Sequence, residues 1–477
     1  MAGKILWRAE DVLRSVHGRC LHEQSWSASG VSIDSRTIKP GDLFIAIVGP
    51  EQDGHDHVAS AFANGAAAAL VSRQPSQVPP DAPLIMVDDT FAALHLLGKA
   101  GRARAKGKII AVTGSVGKTS TKEMLRLALG AVGETYANPG SLNNHWGAPL
   151  SLANLPPDAA YGVFELGMNH VGELSALAKL AQPHVALVTA IEAVHLEFFA
   201  STEAIADAKA EIFEGLVEGG IAILNRDSPH YARLAASAKA CGIKKILSFG
   251  ADGKSDARMA DCAETHEGSA VHAVILGQEI HYRVGAPGIH LAQNSLGALL
   301  AAASLGADIP ACASALTHYI PPKGRGVKHI ITLEEGGSLT VIDESYNASP
   351  ASVKASIRVL AHMVPGHGGR RILVLGDMRE LGPTAPALHS DLAPAIIEAK
   401  IDRVFSCGEM MKYLHDALPA SLLGAHAASS AELAPLVAQE AHAGDVITAK
   451  GSHSMKLELV VEALRARDAA QHRKIAS

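Results

Sequence analysis

Seven consecutive residues, Thr113, Gly114, Ser115, Val116, Gly117, Lys118 and Thr119, have the chemistry to cradle a chain of phosphates. Two glycines let backbone N–H groups turn inward, and a helix starting just beyond adds partial positive charge. Lys118 can reach the outer phosphates, and the Thr119 hydroxyl can sit on a Mg²⁺ that bridges them. The full phosphate-loop pattern places a glycine six residues before the lysine; Val112 stands there, so the core GxxGKT survives without its leading glycine. An ordinary strand-to-helix connection is the competing reading. Against it, the apolar run 109–112, the turn and the helix-favouring stretch 121–129 come in the order that a nucleotide triphosphate site needs.

Further polar residues fall at the ends of expected strands. Short apolar runs at 161–164, 185–189 and 221–224 alternate with helical stretches, which predicts a mostly parallel sheet covered on both faces, with ligands at its carboxyl edge. Glu165 follows the first run, His195 comes soon after the second and Asn225 after the third. Glu165 suits a Mg²⁺ beside the loop, or else complements a helix dipole. His195 is either a satisfied loop residue or a metal ligand. Lys209 is more informative. Thr202 reads as an N-cap and 203–214 as a helix with Ile205, Lys209, Ile212 and Phe213 on one face, and Glu203, Asp207, Glu211 and Glu214 on another. A lysine in an apolar stripe either snorkels to solvent or is buried, with its pKa pushed toward the neutral amine. A neutral amine can take up CO₂ as a carbamate, a carboxylate-like metal ligand. His290 and Asn294, one turn apart ahead of an Ala/Leu-rich helix, could address a base edge or simply cap.

The elements that must position these groups are set by length and composition. With 477 residues the chain has room for about three domains. Hydrophobic residues make up 48% but aromatics only 4%, so the cores must rely on Ala, Leu, Ile and Val. The net charge of −6, without a basic block, argues against nucleic acid as a partner. No apolar run reaches the roughly 18 residues of a membrane span. The start, MAGKILWRAEDVL, reads as an amphipathic helix rather than a secretory signal. Cys20, Cys241, Cys262, Cys312 and Cys407 are scattered without a CxxC pair, which fits a reducing, cytoplasmic setting and argues against structural zinc. The 24 histidines show no HExxH or other close ligand spacing and read mostly as surface residues.

Three units follow. Residues 1–88 form a small α/β unit with strands near 43–48, 68–71 and 84–87, and a small-residue helix over 59–69. Its polar stretches, Asp34, Ser35 and Arg36 and then Asp53, Gly54 and His55, could grip a phosphorylated or sugar-bearing ligand, or be solvated turns with Arg36 paired to Asp34. Residues 89–322 hold the nucleotide. After the Pro/Gly linker at 321–325, residues 323–477 form a Rossmann-like unit with strands near 339–342, 372–375, 403–406 and 445–448. The fold class expected is α/β in three domains: a central P-loop parallel sheet between a small N-terminal α/β domain and a C-terminal Rossmann-like domain.

TGSVGKTS (113–120), ELGMN (165–169), AVHLEFF (193–199), AKAEIF (208–213), GIHLAQNSL (288–296), PKGR (322–325) and DESYNASP (343–350) together resemble the Mur ligase family of bacterial cell-wall synthesis. DSRTIKPGDLFIAI, LGDMRELG (375–382) and KGSHSMKLE (450–458) are similar to the branch that joins UDP-N-acetylmuramoyl-tripeptide to D-alanyl-D-alanine. The resemblance implies a monomeric, ATP-dependent amide ligase that works through an acyl phosphate with two Mg²⁺. It implies that Thr119 and Glu165 serve one ion, and that a carbamylated Lys209 and His195 serve the other. Asn294 would contact adenine, Arg325 the phosphates and Asp343 the ribose. Ser35, Arg36, Asp53, Asn143, Asn144 and Asn347 would meet the substrates, with the UDP-sugar in the first unit, ATP in the middle and the dipeptide in the last. The chain departs from the family pattern at Glu344, where a second aspartate is usual, at Ser141, where asparagine is frequent, and at His57, where phenylalanine is. A sibling ligase that adds the third amino acid would share the DSR loop. A GTP switch would need NKxD, and Asn225-Arg226-Asp227-Ser228 fails that pattern.

Overall fold

A computed structural model describes residues 4–21, 25–193 and 197–469. Among these residues the chain forms three main sheets. The first has five strands in the order Arg19–Cys20, Leu84–Met86, Ala68–Val71, Asp42–Ile45 and Gly30–Ser32, parallel except for the Arg19–Cys20 edge. The middle sheet has nine, running from Gln278–Val284 at one edge to Thr135–Ala137 at the other. The last has six, and only Val327–Thr332 runs antiparallel to its neighbour.

The strand expected at 109–112 is Lys108–Thr113, and Ile109, Ile110, Ala111 and Val112 are at most 1% exposed. A strand covered on both faces must be apolar throughout. Ile110 and Val112 pack with Leu125, Leu129 and Leu296, while Ile109 and Ala111 pack with Leu177, Ile205 and Phe213. Its two neighbours, Tyr161–Glu165 and Val185–Val188, are both parallel to it. The chain therefore crosses away from this strand on both sides, which opens a crevice at its carboxyl end.

Several local expectations change. The first helix covers only Ala9–Val16, because Trp7–Arg8 pairs as a strand with Ser27–Ala28. The indole of Trp7 donates to the Ala153 carbonyl at 2.8 Å, a long-range bond that outweighs local helical pattern. The helix expected over 59–69 is Val58–Ala63, ended by Asn64 and by Gly65 at φ +95°. The middle sheet is mixed. Ala257–Thr265, Gly268–Ile275 and Gln278–Val284 extend it as an antiparallel ladder, with Val271, Ala273, Ile280 and Tyr282 facing the core.

The seam expected at 88/89 is packed over. Asp89 caps helix Thr90–Arg104, accepting the N–H groups of Phe91 at 2.7 Å and Ala92 at 3.1 Å. That helix buries Leu94 and Leu97 in one core with Val12, Ile45 and Leu70 of the first unit and Leu150 and Ala153 of the middle one. The Asn154 amide completes the weld, accepting from Val31 N–H at 2.8 Å and donating to its carbonyl at 2.9 Å.

Candidate active site

The phosphate cradle is shaped by two glycines in conformations that side chains avoid, Gly114 at φ +142° and Gly117 at φ +86°. A Cβ on Gly114 would strike the Thr189 hydroxyl, and one on Gly117 would lie 2.9 Å from the Asn294 amide. Helix Lys118–Gly130 begins immediately after Gly117, so its first free N–H groups face the hollow of the loop. Lys118 folds back, its Nζ donating to the carbonyls of Gly114 at 2.7 Å and Ser115 at 3.0 Å. Burial lowers the Lys118 pKa; Glu165 opposes that shift and Arg325 adds to it. Ser115 is pinned by its N–H to the Ala190 carbonyl at 2.8 Å, and Val116 bridges Ala190. Thr113 is fully buried and gives its hydroxyl to the Leu166 carbonyl at 2.9 Å, so its side chain ties two strand ends together rather than facing the cleft.

Oxygen ligands gather at the base of the loop. Glu165 ends its strand and is 1% exposed. One carboxylate oxygen accepts the Thr119 hydroxyl at 2.7 Å and the other accepts the Asn143 amide at 2.7 Å. A carboxylate and a hydroxyl in contact below a phosphate cradle form the donor set that Mg²⁺ takes when it also binds phosphate oxygens.

The helix that carries Lys209 packs on the sheet face opposite the cradle helix, its Ile205 clustering with Ile109 and Ala111 while Met124 and Leu125 cluster with Ile110 and Val112. Ser201 rather than Thr202 caps its helix, Thr202–Ala210, accepting the Ala204 N–H at 3.3 Å, and the following turn, Glu211–Gly215, is 3₁₀. Lys209 is 1% exposed alongside Ile205, Ile212 and Phe213, so its head does not reach solvent. Burial drives its pKa well below the ordinary lysine value. The charge on Lys118 pushes it further, and Glu165, Glu211 and Glu173 pull the other way. Glu211 is itself fixed by the N–H groups of Gly172 at 2.7 Å and Ser175 at 3.1 Å, at the start of helix Glu173–Ala181. His195 lies outside the described residues.

Above the cradle, the cleft of about 840 Å³ is closed by the last unit. Asn143, Asn144 and Asn294 line it from the middle unit, Arg325 from the linker and Asn347 from the last unit. Arg325 stacks over Tyr346 at 4.1 Å and donates to the Ser141 hydroxyl at 3.5 Å, so it spans both units. Asn144 also holds the start of helix Gly147–Ala153, its side-chain oxygen accepting the Gly147 N–H at 2.9 Å. Asp343 is not brought into the cleft. It is 2% exposed, and its carboxylate accepts from the Ser345 hydroxyl at 2.6 Å and the Gly324 N–H at 3.2 Å, fastening the linker. Its neighbour Glu344 lines the cleft instead, accepting from Lys450 at 3.0 Å and from Ser356 at 2.5 Å. Burial alone would raise the Glu344 pKa, but Lys450 and Ser356 hold it below the usual range.

A second cleft, of about 1220 Å³, lies between the first and middle units. Ser35 and Arg36 line it, and Arg36 is also paired with Asp34 through bonds of 2.9 and 2.7 Å. Asp53 does not line it; its carboxylate holds the His55 ring at 2.6 Å and Arg73 at 2.8 Å. The segment 139–146 is shared, with Pro139, Leu142 and Trp146 on this cleft and Ser141, Asn143 and Asn144 on the other. Behind the segment sits Lys122, fully buried and absent from the sequence-based set, donating to the carbonyls of Asn138 at 2.7 Å and Gly140 at 2.8 Å. Its position one helical turn after Lys118, on the same face, was the available signal.

Fold and cleft together define a P-loop nucleotide-binding protein with a Rossmann-like closing unit. The family descriptions that match are the Mur ligase family catalytic domain over residues 27–95, the Mur ligase middle domain over 112–302 and the Mur ligase glutamate ligase domain over 330–453. The chain is 36% identical to the UDP-N-acetylmuramoyl-tripeptide–D-alanyl-D-alanine ligase of Rickettsia prowazekii, over 92% of this chain and 95% of that one. It superposes on MurF from Acinetobacter baumannii with a TM-score of 0.82 at 29% identity, covering 96% and 99% of the two chains. On the MurF ligase of Thermotoga maritima in complex with ADP the TM-score is 0.75 at 25% identity, covering 92% and 97%. The chain belongs to the Mur ligase family.

Proposed function

We propose that this chain is an ATP-dependent ligase that joins UDP-N-acetylmuramoyl-tripeptide to D-alanyl-D-alanine, the reaction named for its Rickettsia relative. The observation that carries this reading is a lysine amine, Lys209, buried and within electrostatic reach of Lys118 of the phosphate cradle and of Glu165, which accepts from the cradle's Thr119. ATP with Mg²⁺ would supply the activation: the tripeptide carboxylate takes the γ-phosphoryl group as ADP leaves, and the dipeptide amine then displaces phosphate and loses a proton to form the amide.

The residues of the chain do the rest. The cradle from Thr113 to Thr119 orients the phosphates through backbone N–H groups, and Lys118 offsets the charge that builds as a carboxylate approaches them. Thr119 and Glu165 would supply oxygen ligands for one cation. The neutral Lys209 amine would add to the carbon of CO₂ with release of one proton, giving a carbamate that, together with His195, would hold a second cation. Asn294 lies against the cradle at Gly117, where the nucleoside enters, and Arg325 brings its charge from the last unit toward the phosphates. Asp343 acts on the nucleotide indirectly, through the linker and the adjoining Glu344. Ser35, Arg36 and Asp53 shape the sugar-nucleotide side, while Asn143, Asn144 and Asn347 face the reacting ends. The units 1–88, 89–322 and 323–477 thus take the UDP-sugar, ATP and the dipeptide in turn, and holding three ligands together removes much of the entropic barrier. The setting is the cytoplasm and the working form a monomer; among the described residues no helix is long and apolar enough to cross a membrane.

Phosphate release from ATP plus UDP-N-acetylmuramoyl-tripeptide tests this directly. Release should depend on added D-alanyl-D-alanine and not on diaminopimelate or lysine offered with the dipeptide substrate of the sibling ligase. Release driven by either amino acid instead would overturn the assignment.

A further inference from the structure

The antiparallel extension of the middle sheet carries a cluster that lines neither cleft. Strands Gly268–Ile275 and Gln278–Val284 are joined by Leu276 at φ +49° and Gly277 at φ +86°, a two-residue turn that fixes their register. That register sets His272 directly opposite His281. Glu279 lies two residues before His281, hence on the same face and diagonal to His272. The other face, with Val271, Ala273, Ile280 and Tyr282, is packed into the core, so the three polar side chains share the outward face.

The three possible ligand atoms lie close together. His272 Nε2 stands 2.7 Å from Glu279 Oε1, and His281 Nε2 stands 3.8 Å from the same oxygen. The two imidazoles lie nearly parallel, 4.2 Å apart with 12° between their planes. All three donor atoms fall within 4.8 Å of one another. A tetrahedral Zn²⁺ with bonds of about 2.0–2.1 Å separates its ligand atoms by about 3.3 Å. The observed spacings lie on both sides of that value, and rotation of the two exposed side chains, Glu279 and His281, would bring them toward it. We propose that His272, Glu279 and His281 bind a first-row divalent transition ion, with Zn²⁺ the best match, the remaining coordination position being open to solvent.

Two imidazoles and one carboxylate suit Zn²⁺, Ni²⁺ or Cu²⁺ and discriminate against Mg²⁺, which prefers all-oxygen surroundings. The site therefore takes a different class of ion from the one suited to Thr119 and Glu165. Asp261, opposite His272 on its other flank, adds negative charge nearby while its Oδ1 accepts the Cys262 N–H at 2.9 Å. Gln278–Val284 is the edge strand of the sheet, so a bound ion ties that edge to its neighbour and stabilises the pair by mass action.

The test is calorimetric titration of the tag-free, metal-stripped full chain with ZnCl₂, alongside hydrogen exchange with and without Zn²⁺. The parent should bind one more Zn²⁺ than His272→Ala/His281→Ala, and Zn²⁺ should slow exchange across 268–284 in the parent only. Equal stoichiometry and affinity in the two proteins, or Zn²⁺-dependent protection that spares this hairpin, overturns the proposal. If the double variant misfolds, Glu279→Gln decides, because it keeps both rings and the ladder. It should bind Zn²⁺ more weakly than the parent, and unchanged binding overturns the site.

Discussion

Lys209 concentrates the conflict between stability and chemistry in one side chain. Its amine is held where a charge is disfavoured, so the unmodified lysine works against folding. Because its pKa in the folded state is below its ordinary value of 10.5, the unfolded chain binds more protons between those two pKa values. Stability therefore rises with pH through that window, and the whole penalty applies below it. Lys209→Met should thus be more thermostable than the parent in CO₂-free buffer near neutral pH, and the gap should narrow as pH climbs toward 10.5. Thermal melts at stepped pH would show this, and a gap that is absent or does not change with pH would count against a buried, neutral amine. Lys209→Ala should lose turnover by about 10²–10³-fold or more, the usual scale for removing a charge stabiliser from a reacting centre. Short carboxylic acids added in millimolar excess should restore part of it in a phosphate-release assay, since they can occupy the vacated ligand position. Periodicity alone could not place this amine, because burial and snorkelling leave the same spacing in the chain. What separates them is the proximity of Lys118 and Glu165, which come from other elements. The same limit explains Asp343 and Glu344. Adjacent residues of a strand point to opposite sides, and only the register that sets Glu344 beside Lys450 shows which one faces the cleft.

At the scale of elements, the parallel core was the most legible part. A strand buried on both faces must be apolar throughout, and residues 109–112 state this without ambiguity. The antiparallel ladder was legible in principle, since apolar residues recur at 271, 273 and 275 and at 280, 282 and 284, but it carries none of the glycine-rich chemistry of the cradle. The histidine cluster was hidden for a related reason. Its ligands are neighbours across a ladder rather than along the chain, so no linear spacing rule finds them. The cradle itself makes a sharp prediction. Gly117→Ala puts a side chain at φ +86° and 2.9 Å from the Asn294 amide, where left-handed backbone costs roughly 1–2 kcal/mol in addition to the clash. ADP should bind about tenfold more weakly or worse, as each 1.4 kcal/mol is a factor of about ten. Gly130→Ala, at the far end of the same helix with nothing within 4 Å of the added carbon, is the control and should bind ADP normally. Calorimetric titration of both variants decides the matter.

Across the whole molecule the two seams differ in kind. The first is a shared core, with Leu94 and Leu97 of helix Thr90–Arg104 inserted among residues of two units and Asn154 bonded to Val31. The second is a linker through Gly324 and Gly326, at φ +74° and +106°, with Arg325 reaching across it. The first two units should therefore melt together. Leu97→Ala, which empties a fully buried site in the shared core, should cost about 2–5 kcal/mol and split that transition in a calorimetric scan. A single unshifted transition would mean that the core joins them less tightly than its packing indicates.

The stretch 139–146 then takes on a significance beyond shape. One peptide segment forms a party wall between the two clefts, which under the proposed function take a sugar nucleotide on one side and an adenine nucleotide on the other. Any strain that one tenant puts on that wall must be returned: whatever factor the first imposes on the affinity of the second, the second imposes on the first. The order in which the two arrive is then a matter of rates alone, because the thermodynamic account closes the same way along either route.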